Sequence, residues 1–147
     1  KKNIPVRVLH SSSVFTAVAE SGLQLYKFGR ATTLVYPEEK FRPESPFEVI
    51  RENMKAGLHT LVLLDIRYDE EKCMTANEGL ELLIESGVVN ENAEAVVCCQ
   101  LGGENQIIRY GKVKSLINSK EISMVPAVIV IPGKLNFKEE EALAMWK

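Results

Sequence analysis

Cysteine, histidine, long apolar runs and unbalanced charge are all scarce in these 147 residues, and each shortage excludes a class of function. The three cysteines, Cys73, Cys98 and Cys99, are odd in number and have no CxxC spacing, so neither a disulfide framework nor a zinc site is expected. The two histidines, His10 and His59, form no triad, zinc-binding helix or paired-carboxylate spacing with the acids around them. No apolar run approaches the roughly 20 residues that cross a bilayer, and no signal-peptide pattern opens the chain. The expectation is a cytoplasmic protein with no membrane partner. With 18 basic against 20 acidic residues the net charge is -2, which gives no sequence-independent grip on nucleic acid. Internal repeats and low-complexity tracts are absent. The glycine-rich turn LGGEN (101–105) lacks the length and the lysine of a phosphate loop.

What remains fits a single α/β domain over residues 1–147, long enough to bury a core without staples. Strands are expected at Pro5–Leu9, Ala31–Tyr36, Thr60–Asp65, Ala95–Cys99 and Ala127–Ile131. Between them, Ser45, Pro46 and Glu48 read as a capping box for a helix with Phe47, Val49, Ile50 and Met54 inward and Gly57 at its end. Thr75 and Glu78 form a second box before a helix that buries Leu80, Leu83 and Ile84 and closes at Gly87. Arg67–Lys72 reads as a charged loop, Ile107–Tyr110 as a short extended piece, Gly111–Asn118 as containing a short helix, and a last helix starts near Phe137. Alternating strands and helices predict a layered fold, and the successive β-like pieces around 22–37 make the sheet a mixed one flanked by helices. Cys98 and Cys99 fall on opposite faces of their strand, as core residues would. The chain opens on Lys1 without a methionine and closes on Lys147 within a helical pattern, which reads as a domain from a longer protein.

The segment His10–Gly29 organises the rest. A strand ends, Ser11–Ser13 offer hydroxyls to cap a buried turn or two of helix over Val14–Ala19, and Gly22 supplies a left-handed stop. Free amides at a helix start favour a carboxylate, a phosphate or the polar end of a nucleotide. Asp65, at the carboxyl end of a continuous apolar strand, lies where ligands gather in open α/β sheets. It reads either as orienting a substrate amine or as capping the neighbouring turn. His10 and His59 read as satisfied structural histidines. The Tyr26-Lys27-Phe28 cluster suits contact with a substrate or partner, or a strand edge packed in the core.

Five islands in one order, GLQLYKFG (22–29), RPESPFEVI (42–50), GLHTLVLLDI (57–66), MTANE (74–78) and VIPGKL (130–135), closely resemble the C-terminal domain of the diphthine synthases. These are methyltransferases of diphthamide biosynthesis within the tetrapyrrole methylase superfamily. The resemblance does not extend to that family's N-terminal half. It implies S-adenosylmethionine as cofactor, a homodimer, and N-methylation of the modified histidine of translation elongation factor two. It also maps Ser13 and Val14, Leu64, Leu101 and Ala127 onto cofactor-binding positions, each of which alone would read as a cap or as core. Gln100 stands where many relatives have arginine, and Ala127 where histidine is frequent; contacts through backbone amides are insensitive to both. No general base is identified. Methyl transfer from a sulfonium needs neither metal nor protein nucleophile, so the lack of a catalytic constellation is compatible with it. The fragment alone is expected to be inactive. A non-catalytic dimerisation or binding module and a tetrapyrrole methyltransferase domain are the alternatives.

Overall fold

Strand β2 (Thr60–Leu64) is apolar on both faces, and the fold is laid out to cover it twice. In the computed structural model, which describes residues 7, 11–38 and 42–147, a mixed five-stranded sheet runs in the order β1-β2-β7-β5-β6. Its members are β1 (Thr32–Leu34), β2, β5 (Glu94–Cys99), β6 (Ile107–Lys112) and β7 (Ala127–Ile131). Only β1 and β2 are parallel; β2-β7, β7-β5 and β5-β6 are antiparallel. A two-stranded ribbon, β3 (Ile66–Arg67) with β4 (Lys72–Cys73), projects beyond the end of β2.

Side-chain alternation sorts the core into two layers. Val62, Leu64, Ala95, Val97, Cys99, Ala127, Ile129 and Ile131 face one way, under α2 (Ser45–Lys55) and α3 (Ala76–Glu85). Leu61, Val96, Cys98, Val128 and Val130 face the other, packing with Val18, Leu23 and Leu143 from the segment after α1 (Val14–Ala17) and from α5 (Phe137–Ala144). The remaining helix, α4 (Val113–Leu116), follows β6 directly. Each fully buried Leu, Ile or Val contributes about 1.5–3 kcal/mol relative to exposure. Burial on both sheet faces is therefore the main stabilising term. The apposition of α3 is close: a Cβ added at Gly79 would stand 2.8 Å from Leu64 Cδ2 and 2.9 Å from Ile129 Cδ1.

The mixed α/β sheet and the strands at 60, 95 and 127 are as the sequence predicts, as is the Thr75–Glu78 box, where Glu78 N–H donates to Thr75 Oγ1 at 3.3 Å. The Pro5–Leu9 strand and His10 lie outside the described residues. Other expectations are corrected. Ser45 is not a cap: Glu44 stands at that position with a helical backbone, its carbonyl accepting from the amides of Phe47 and Glu48, and Ser45 is already helical. Met54 is 44% exposed, because the inward stripe runs through Pro46, Val49, Ile50 and Asn53 instead. Of Val14–Ala19 only Val18 is buried, and Phe15 is exposed. Residues 25–27 form a 3-10 turn rather than a strand, joined to β2 by a single bridge between Phe28 and His59. The predicted 31–36 strand shortens because only Thr32–Leu34 pair with β2, after which the Tyr36 amide turns to Asp65 Oδ2 at 3.1 Å. The charged 67–72 loop is the ribbon, turned by a left-handed Glu71.

One buried carboxylate fastens α5 to the sheet. Glu139 is 0% exposed; its Oε1 accepts from Gln24 N–H (3.1 Å) and His59 Nε2 (2.9 Å), and its Oε2 from Asn136 N–H (3.0 Å) and the Lys27 ammonium. The Asn136–Glu139 capping box that starts α5 is thus also a tertiary anchor. His59 Nδ1 accepts from Gly133 N–H at 2.9 Å, which leaves Nε2 as the protonated donor to Glu139. Burial lowers the His59 pKa and keeps the ring neutral despite its acidic neighbour. Burial alone would raise Glu139, but the bonds from Lys27, Asn136, Gln24 and His59 bring it down to about 2.

Both groups bind fewer protons folded than unfolded, so both contribute stability that is lost as the pH drops. His59 loses its share below its unfolded value near 6.5, and Glu139 between its unfolded value near 4.5 and about 2. We expect Glu139→Gln to destabilise by about 3 kcal/mol at pH 7. Urea denaturation at pH 7, 5 and 3 should show the gap to the unsubstituted chain narrowing as pH falls; a pH-independent gap would contradict this account.

Candidate ligand cleft

The sheet's geometry brings three strand ends to one edge. β2 and β5 run toward it and antiparallel β7 runs away from it, so Leu64, Cys98-Cys99 and Ala127 lie side by side, with Leu63 opposite Val128 and Cys99 opposite Ala127. The Ser13–Ala17 segment covers this edge on the α5 side. Between them opens a cleft of about 480 Å³. Val14 and Ala17 form one wall, Leu63, Leu64 and Ile66 another, and Cys98, Leu101, Gly102 and Pro126–Val128 the rest, with Ser12 and Ser13 as the hydroxyl-bearing end.

All five positions singled out from the sequence, Ser13, Val14, Leu64, Leu101 and Ala127, line this one cleft, although 114 positions separate the first from the last (127 − 13). Ser13 is exposed and caps α1: its Oγ accepts from Phe15 N–H at 3.3 Å, and its carbonyl accepts from the amides of Thr16 and Ala17. With only four residues, α1 adds little macrodipole to the anion preference expected of its start.

Several liners were not marked in advance. Ser12 is one of the three capping serines, and Ile66, Gly102 and Pro126 lie within two residues of marked positions and carry no signal of their own. Cys98 lines the cleft because alternation turns it to that face; burial pushes its thiol up to about 12, so it is an apolar wall atom and no nucleophile. Asp65 turns away from ligand chemistry. Its Oδ2 accepts from Tyr36 N–H and from Arg67 Nε at 3.0 Å, which is the turn-capping reading. His59 is structural, as expected. The Tyr26-Lys27-Phe28 cluster splits: Lys27 pairs with Glu139, Phe28 packs edge-on against His59, and Tyr26 points outward.

Gln100 holds the cleft's far wall. It has a left-handed backbone (φ 51°), its N–H donates to Pro126 O at 2.8 Å, and its side-chain amide donates to Val125 O at 3.0 Å. The turn after β5 is thereby tied to the residues leading into β7, which holds Leu101 at the cleft. Removing the side-chain bond leaves the Val125 carbonyl without that donor. Gln100→Ala should therefore cost about 1 kcal/mol in thermal or urea unfolding; no measurable change would mean that the bond does not help to hold the wall.

Nothing in the cleft is a metal-ligand set, and among the described residues no group of His, Cys, Asp and Glu could hold one. Among them too, no helix is long and apolar enough to cross a membrane. Size, apolar walls and a polar end suit a flat heteroaromatic ring carrying a polar tail.

The model of the family described as Tetrapyrrole (Corrin/Porphyrin) Methylases matches residues 1–117. Diphthine synthase of Methanocaldococcus jannaschii is 48% identical over 151 residues, covering 97% of this chain and 58% of its own length. That of Methanococcus maripaludis is 46% identical over 149 residues, again covering 97% and 58%. Among solved structures, an Entamoeba histolytica protein assigned provisionally as a diphthine synthase superposes with TM-score 0.91 at 34% identity, covering 98% of this chain and 60% of that one. A crystal structure of diphthine synthase superposes with TM-score 0.83 at 27% identity, covering 94% and 53%. The chain thus spans little more than half the length of the relatives it matches.

Proposed function

The chain belongs to the tetrapyrrole methylase family, and from that membership we propose that it forms one wall of the cofactor site of a cytoplasmic methyltransferase of diphthamide biosynthesis. The cofactor is S-adenosylmethionine, and the acceptor is the amino group of the modified histidine of translation elongation factor two. The observation that carries the reading is the convergence of Ser13, Val14, Leu64, Leu101 and Ala127 on a single cleft. The 42–48% identity of several archaeal diphthine synthases supports the choice of acceptor over a tetrapyrrole ring.

The residues fit the cofactor. Val14, Leu63, Leu101 and Val128 offer apolar faces to an adenine ring, Leu64 and Ala127 border it at their strand ends, and Ser12 and Ser13 offer hydroxyls to a ribose or a carboxylate. When bound, the cofactor supplies an electrophilic methyl on a sulfonium, so the chain's own task is to bind, orient and exclude water. Leu64 and Ala127 are held on neighbouring strands, and Leu101 is held by the Gln100 bonds, so the walls are set before a ligand arrives. The acceptor amine must lose a proton before transfer. Cys98 cannot accept it, its thiol being raised to about 12 and hence neutral at pH 7.

A cleft open on one side holds its ligand weakly. Calorimetric titration of S-adenosylhomocysteine should therefore give binding only when the remaining segment of such a methylase is supplied as a second chain, and the chain alone should not methylate the factor. Val128→Phe, on the face of β7 that lines the cleft, should then weaken binding at least tenfold, about 1.4 kcal/mol. Binding unaffected by Val128→Phe would place the cofactor elsewhere.

A second reading, an assembly module, has one observation in its favour. Phe15 and Leu25 are exposed beside a groove of about 130 Å³ lined also by Phe28, Ala31 and Leu61. The same face would serve the homodimer that the resemblance implies. Light scattering of the chain alone tests both: a monomer at all concentrations argues against assembly through this face.

A further inference from the structure

The β3-β4 ribbon begins where the cleft ends. Ile66, its first residue, lines the cleft and is 39% exposed. Two residues on, Tyr68 is 84% exposed, the most exposed large apolar side chain among the described residues. The arm that carries it is braced at its base. Asp65 accepts from Tyr36 N–H and Arg67 Nε, Met74 N–H donates to Asp65 O at 2.9 Å, and Arg67 pairs further with Glu38 (3.0 Å) and Glu70 (3.3 Å). Lys72 Nζ stands 3.6 Å from the centroid of the Tyr36 ring, which adds a cation-π contact to the base. An aromatic held on a braced arm loses little conformational freedom on docking.

Among the described residues the charge at the tip is mainly negative. Asp69 and Glu71 are exposed there, whereas Glu38 and Glu70 pair with Arg67, which also meets Asp65, and Lys72 lies over the Tyr36 ring at the base. A surface that fits this tip is basic. An amine borne on a protein cannot bring its carrier into a cleft of about 480 Å³, so the carrier must be gripped outside, beside the opening. The ribbon is a described element that both lines the cleft and projects from it. We propose that its tip, Tyr68 with Asp69 and Glu71 beside it, is the docking surface for the protein that carries the acceptor amine, and that it takes a basic patch next to the side chain to be methylated. This rests on the reading above only in taking the acceptor to be borne on a protein.

The test is direct binding of the full chain to elongation factor two bearing the modified but unmethylated histidine, by biolayer interferometry at low and raised salt. Tyr68→Ala and Asp69→Lys are compared with the unsubstituted chain, and thermal unfolding serves as the control for folding. The expected result is at least tenfold weaker binding for each variant, unchanged unfolding temperatures, and binding that declines with salt in the unsubstituted chain. Unaltered affinity in both variants, or no binding by the unsubstituted chain, overturns the proposal. So does a loss confined to self-association or to association with a second methylase segment, because the ribbon would then contact another occupant. Failure of the S-adenosylhomocysteine titration with normal ribbon-dependent binding would instead count against the cofactor reading alone.

Discussion

Three neighbouring strands apolar on both faces, β2, β7 and β5, impose the constraint from which the rest follows. A sheet with one wet face could be finished by α2 and α3 alone. Here Leu61, Val96, Cys98, Val128 and Val130 would then face water, so a second layer is required. That layer comes from the two ends of the described chain, the segment after Ser13 and α5. Neither is long enough to be stable by itself. They hold because Val18, Leu23 and Leu143 are buried against the sheet and because polar groups lock them together: Trp146 Nε1 donates to Ser21 O at 3.1 Å, and Glu139 gathers four donors.

The buried carboxylate shows how the cost of charge in a core is met. Isolated, it would neutralise or unfold its surroundings. Each of its oxygens instead accepts two hydrogen bonds, one ammonium lies against it, and the histidine's proton is directed toward it by a backbone amide on the far ring nitrogen. The result joins residues 24, 27, 59, 133, 136 and 139 into one unit. The cleft lies at the opposite edge of the sheet, where the second layer ends early. Its opening is a consequence of how little helix covers that end: α1 is a single turn, and Phe15, next to Val14 of the wall, faces outward.

This arrangement separates stability from chemistry. The ionisable groups with strong partners, Glu139, His59 and Asp65, are engaged in holding elements together, and the cleft walls are apolar. A site built this way contributes shape, orientation and dryness, as transfer of an already activated group demands. The braced ribbon beside it carries an exposed aromatic, Tyr68.

Much of this was legible in the residues. The double-sided strands follow from unbroken apolar runs at 60, 95 and 127, and the α3 cap from Thr75 and Glu78 at capping-box spacing. The left-handed stops at Gly22, Gly57 and Gly87 follow from glycine itself. Membership of a methylase family showed in five short islands, and through that resemblance five cofactor positions could be marked. Periodicity could not tell that Met54 points outward, that Ser45 lies inside its helix, or that 67–72 folds into a ribbon, because those outcomes depend on which neighbour arrives across the gap. Nor could sequence reveal the Glu139 cluster, whose members lie up to 115 positions apart, or the second duty of Asn136 and Glu139 as both cap and anchor. The residue types alone fixed the three central strands, the α3 cap and the need for two covering layers. The tertiary structure alone decided that antiparallel β7 brings Ala127 beside Leu64 and Leu101, because adjacency across a sheet is set by strand order and direction, which local spacing does not encode.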